Sequence, residues 1–157
     1  MSDLSAIYLH LEWLRAGDAN DPEHSYHLQN YVVEDWMQTV GLSRREACDV
    51  IAAWLAFGFN AGRLSFDFAD MIANDVSFIA QAEATSGLSE LTDYHTPLSW
   101  KVYLAFDAGE FTSKPDFDPV EAYTQPQIAD IVRRIDELIE YRPALMTLKD
   151  EAPAATS

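Results

Sequence analysis

Two apolar runs joined by a glycine-bounded connection constrain this chain more than any other feature. Ala47 to Phe59 carries Ala47, Val50, Ile51, Trp54, Leu55 and Phe57, and Phe66 to Ile79 carries Phe66, Phe68, Met71, Ile72, Val76, Phe78 and Ile79. Both runs repeat at helical spacing. Between them, Gly58 and Gly62 flank Phe59-Asn60-Ala61, and glycine can take the left-handed conformation that ends a helix. The expectation is an αα-hairpin over residues 43–83, apolar enough to be the centre of an all-α, single-domain bundle of six or seven helices.

The flanking segments supply the rest of the bundle. Leu4, Ile7, Tyr8, Leu11 and Leu14 mark a first helix, widened by Leu9 and Trp13 and ended by Gly17. A second helix is expected from Pro22 or Ser25 to Val40, with Asp21 as cap, Pro22 as first residue and Gly41 as stop. Its stripe reads Leu28, Tyr31, Val32, Asp35 and Trp36. Ser43 with Glu46 forms a capping box for the third helix, and Ser65 caps the fourth. Thr85 to Ser89 reads as a loop and 88–96 as a short helical turn at most. Thr96 and Pro97 open a fifth helix with Leu98, Val102, Tyr103 and Phe106 inside, ending near Gly109. Asp118-Pro119-Val120-Glu121 combines three helix-start signals. Pro126 then starts a final helix, through about Tyr141, on Ile128, Ile131, Val132, Ile135, Leu138 and Ile139. Residues 1–143 are expected to form the domain and 144–157 a flexible tail.

At 157 residues the chain can bury a core of ordinary size. No window approaches a membrane span, and the first residues lack the basic segment of a secretory signal. A single Cys48 allows no internal disulfide and suits a reducing compartment. These features lead to the expectation of a cytoplasmic, bacterial-type protein.

Charge bears most on function. Twenty-six acids against ten bases give a formal charge of −16. Such a chain repels phosphate backbones and anionic lipid and attracts cationic surfaces, which argues against direct nucleic-acid or membrane binding. Seven acids and one base fall in residues 1–42, and seven acids and two bases in 86–125, so the excess is spread over folded segments instead of one acidic tail.

Motifs for chemistry are few. His24-x-x-His27 puts two rings on one helix face, but zinc needs a third or fourth ligand and only His10, His95 and carboxylates remain. Asp67-x-x-Asp70, followed by Asn74 and Asp75, lines one helix side and would need ligands from a second helix to hold a cation. Asp35, beside Glu34, falls on an apolar stripe, where it would be either partly exposed or paired with an arginine (Arg44, Arg45 or Arg63). Gly58 to Gly62 lacks the lysine and hydroxyl of a phosphate loop, and nothing around Cys48 or any serine marks a nucleophile. No cofactor motif is present and no metal is expected.

The loop from Asp107 to Asp118 mixes Asp107, Glu110, Asp116 and Asp118 with Phe111 and Phe117. Acids around aromatic anchors suit an interface with a basic protein. The preferred expectation is therefore a non-enzymatic acidic binding protein that occludes a toxin, nuclease or nucleic-acid-binding protein. Immunity proteins and nucleic-acid-mimicking inhibitors act in this way; the likeness lies in composition and size, with no diagnostic motif. Its expected contact residues are Asp67, Asp70, Asp107, Glu110, Phe111, Asp116, Phe117 and Asp118. One alternative is an enzyme or small-ligand binder with a pocket lined by Trp36, Trp54, Tyr103 and the Asp67/Asp70 carboxylates. Another is an oligomer subunit exposing Trp13 or Trp100.

Overall fold

The computed structural model describes residues 4–21, 23, 26–82, 97–111 and 115–138. These residues form six α-helices and no strand: α1 Ser5–Asn20, α2 Asn30–Trp36, α3 Arg44–Asn60, α4 Phe66–Gln81, α5 Leu98–Asp107 and α6 Gln125–Leu138. Two wide π-turns, Met37–Gly41 and Val120–Thr124, extend α2 and lead into α6. The all-α bundle expected from periodicity is what the chain builds.

Its centre is α3, which is buried almost all round from Ala47 to Gly58 and packs against α2, α4, α5 and α6. A helix apolar on every side can only be an interior one. Its start is the expected capping box: Ser43 Oγ accepts from the Glu46 amide at 3.1 Å, and the Ser43 amide donates to Glu46 Oε1 at 2.7 Å. Ser65 caps α4 likewise, accepting from the Phe68 amide at 3.1 Å. Between the two helices Gly62 takes φ 77°, closing the hairpin. Gly41 stops α2 and its π-turn at φ 83°.

Several boundaries differ from the periodicity, each for a physical reason. Helix α1 does not end at Gly17. It continues to Asn20, and the glycine serves packing instead: its missing Cβ makes room for the Tyr26 ring, which would lie 2.7 Å from one. The second helix begins at Asn30, and Asp21 closes α1 where it was expected to open α2. The stripe of α2 is rotated: Val33 and Trp36 are buried while Tyr31 and Asp35 face solvent. Pro126 stands at the second position of α6, as expected, but the helix has no free start there. The Gln125 amide bonds to the Val120 carbonyl in a π-turn, which runs straight on into α6 around a proline that has no donor to give.

Helix α5 is capped from a distance. Asp49 on α3 accepts the Ser99 amide at 3.0 Å, a role the sequence assigned to Thr96. Thr96, His24, His95, the 83–96 connection and the segment beyond Leu138, with the expected tail, lie outside the described residues.

Candidate functional site

Helices α4 and α5 pack along each other, and their buried residues include Ala69, Ile72, Ala73 and Val76 on α4 and Val102, Ala105 and Phe106 on α5. Outside this seam, Asp67, Asp70 and Asn74 run down α4 at spacings of three and four, and Tyr103 and Asp107 run down α5 at a spacing of four. The seam therefore brings two polar stripes together at the end of α5.

The turn after α5 is fixed with equal force. Gly109 is buried against α6's lead-in turn, and a Cβ there would sit 2.3 Å from Thr124 Oγ1. Thr124 Oγ1 in turn donates to the Ala105 carbonyl at 2.7 Å. This anchor aims Glu110 back at α4, where Asn74 Nδ2 donates to the Asp70 carbonyl at 2.8 Å and lies 3.4 Å from Glu110 Oε1. Phe111 follows with its ring 78% exposed.

Asp67, Asp70, Asp107 and Glu110 thus form one acidic cluster, drawn from two helices and a turn. Burial lifts the Asp70 carboxyl to about 7, assisted by its hydrogen bond to Glu110 and by the charges of Glu110, Asp107 and Asp67. Asp70 Oδ1 is sealed from water and meets no donor. A second carboxylate beside it is also an acceptor, so the pair is satisfied when it holds a proton. Asp107 is raised by desolvation and by Glu110, and the Tyr103 hydroxyl by desolvation and then by Asp107, Glu110 and Asp70. Asp107 and Glu110 also stand at the carboxyl end of α5, where the helix dipole opposes anions. The helix dipole therefore gives no reason for acids in that place.

The cations lie elsewhere. Arg15 and Arg63 both bond Glu12 at 2.8 Å, Arg44 pairs with Glu34 at 3.1 Å, and Arg45 reaches Asp49 at 3.9 Å. Arg133 and Arg134 share Asp130. Among the described residues, none of the four cluster carboxylates has an ion-pair partner. Among the described residues, arginine pairing is thus concentrated at Glu12, Glu34, Asp49 and Asp130, away from the cluster.

The structure joins the expected contact residues only in part. Asp67, Asp70, Asp107, Glu110 and Phe111 come together. Phe117 instead tilts against Tyr123 with ring centroids 5.6 Å apart, and Asp118 caps the turn before α6, accepting from the Val120 amide at 3.0 Å. Asp116 is exposed, with no contact tying it to the cluster. Of the two expectations for Asp35, exposure is the one found, and Arg44 pairs with its neighbour Glu34 instead.

The tryptophans expected to line a pocket lie inside the helical core. Trp36 and Trp54 are core residues, Trp36 meeting the His10 ring and Trp54 that of Phe68. An open groove of about 380 Å³ lies between α5 and α6, lined by Lys101, Leu104, Pro126, Gln127, Asp130, Ile131 and Arg134. None of the cluster carboxylates borders it. Among the described residues, no three His, Cys, Asp or Glu side chains are grouped so as to hold a metal ion. His27 is engaged by Asp75 at 3.0 Å, and Asp75 also accepts the Leu28 amide at 2.9 Å.

Two features escaped the sequence pattern. Phe78 shares the stripe of Asp67, Asp70 and Asn74 and is 80% exposed, although its apolar character placed it inside. Asp49 is buried as the cap of α5, and an acid amid the apolar run of α3 was the signal that could have found it. No helix of the described residues is long and apolar enough to cross a membrane. Comparisons with protein-family models, curated proteins and solved structures returned no match to this chain.

Proposed function

We propose that this is a non-enzymatic binding protein whose α4–α5 acidic cluster receives the cationic site of a protein partner, most concretely as an immunity or inhibitor protein acting on a toxin or nuclease. The observation that carries this reading is the convergence of four carboxylates beside an exposed phenylalanine, with no cation paired to them among the described residues. Carboxylates steer and pair arginines, and an aromatic side chain supplies buried area at the centre of a contact. A basic cleft built for phosphate would find charges of the same sign as its own substrate.

The test is equilibrium titration of the protein against a panel of basic nucleases and nucleic-acid-binding proteins at low and high salt, with nuclease activity followed in parallel. A cognate pair is expected to lose affinity steeply as salt rises, and the complex to be inactive on nucleic acid. Binding unaffected by salt, or bound nuclease that still cleaves, would remove the basis for the reading.

One observation favours a second reading, an enzyme using Asp70 as a proton donor. A carboxyl that keeps its proton near neutral pH is suited to general acid work. Against it, the groove between α5 and α6 is bordered by none of the cluster carboxylates.

A further inference from the structure

Helix α1 has an unusual outer face. Its core side is ordinary, with Ile7, Leu11 and Leu14 buried. Its most exposed positions are Ala6, Leu9, Trp13 and Ala16, edged by Ser5, Ala19 and Asn20, and not one of them is charged. Leu9 is 71% and Trp13 61% exposed. A surface helix normally turns its charges outward, and this chain carries a net −16 with which to do so. Helix α1 instead is apolar on both sides.

The spacing of that outer face is three, four and three, the repeat of a helix–helix seam. Its order is small, large, large, small. Turned end for end about its own middle, the series maps onto itself: Ala6 falls opposite Ala16 and Leu9 opposite Trp13. Such a face is self-complementary under a two-fold axis, as an isologous contact must be. The alanines let the helix ends approach, and the Leu9–Trp13 layers fill the centre.

Charge next to the seam permits a second copy there, although the molecule as a whole repels itself. Glu12 is held by both Arg15 and Arg63 at 2.8 Å, so the acid flanking the seam is more than neutralised. On the other flank His10 is kept toward its neutral form by burial. Trp13 is already braced, stacked on His10 at 5.6 Å and edge-on to Tyr26 at 5.9 Å, so little freedom remains to be lost on association.

We propose that α1 is the interface of an antiparallel two-fold homodimer, with Ala6, Leu9, Trp13 and Ala16 as its seam. This places the self-contact on a helix other than α4 and α5, which carry the acidic cluster.

The full chain is to be followed by sedimentation equilibrium from low to high micromolar concentration. A reversible monomer–dimer equilibrium is expected. Trp13→Glu, and separately Leu9→Glu, should each be monomeric with unchanged helical circular dichroism, since both positions are exposed in the folded chain. Under mild oxidation, a mixture of Ala6→Cys and Ala16→Cys chains should cross-link. Ala6→Cys alone should not, because its two copies lie about 15 Å apart across ten residues of helix. A chain that stays monomeric throughout overturns the proposal, whether another protein segment or nothing covers the face. So does a dimer that survives both glutamates, or ready self-cross-linking of Ala6→Cys, which would mean a parallel or different interface.

Discussion

Acidification from about pH 8 to about pH 5 is expected to stabilise this protein against urea by about 2–3 kcal/mol. The sign follows from the direction of the carboxyl shifts. Asp70 is raised to about 7 and Asp49 to about 6, in each case chiefly by burial, and Asp75 and Asp107 are raised as well. A carboxyl whose folded value exceeds its unfolded one binds its proton more readily in the native state. Between the two values, lowering the pH therefore favours folding, and the gain is lost as pH rises through the folded value. Asp49, largely buried, contributes roughly half of the effect. Asp70 contributes about 1 kcal/mol, the share that survives solvent screening at a half-exposed site. His10 opposes them below about pH 6.5, since burial lowers it and the unfolded chain takes that proton first. Asp70→Asn should flatten the upper part of the profile, near pH 7, and leave the Asp49 part near pH 6. Stability that instead falls steadily over this range would mean that these carboxyls are ionised and compensated in the native state.

The second large effect concerns binding. Reversing charge at two cluster positions, Asp67→Lys with Glu110→Lys, is expected to weaken a basic partner by on the order of a hundredfold or more at low salt. The same reversal at Asp18 and Glu121, acids outside the cluster, should change affinity only slightly. Both doubles alter the net charge equally, so a nonspecific attraction to a −16 chain would respond to both alike. Neither acid is a helix cap or has an ion-pair partner among the described residues. Asp67 lies in the first turn of α4, so its exchange should cost the fold only about 1 kcal/mol through the helix dipole. Equal losses from the two doubles would show that only overall charge matters.

Much of the fold was legible because its signals are local. The capping box at Ser43–Glu46, the cap at Ser65 and the left-handed Gly41 and Gly62 depend on a few adjacent residues, and each is found where the pattern put it. Gly17 misled because a glycine can serve a neighbour's ring as well as a helix end. Pro126 was legible as the start of α6, but the π-turn that runs into it from Val120 was not. Both facts depend on residues distant in space or on the backbone's exact path. The candidate site divides along the same line. Asp67 and Asp70 were legible as a helical pair, and Asp107 to Phe111 as an acidic aromatic loop. That the two meet depends on the close α4–α5 seam and on Gly109 fitting under Thr124, which no spacing rule encodes. Asp118 and Phe117 were drawn into the same loop by proximity in sequence, but capping and a tyrosine ring hold them apart from the cluster.

The central claim is that the negative field is focused where α4 meets the end of α5. Amide chemical-shift mapping with an arginine-rich peptide as the cationic probe measures this directly, residue by residue. The account predicts perturbations concentrated at residues 66–74 and 103–111, fading as salt is added. Shifts spread evenly over the acids of α1, α2 and α6, or strongest there, would contradict it.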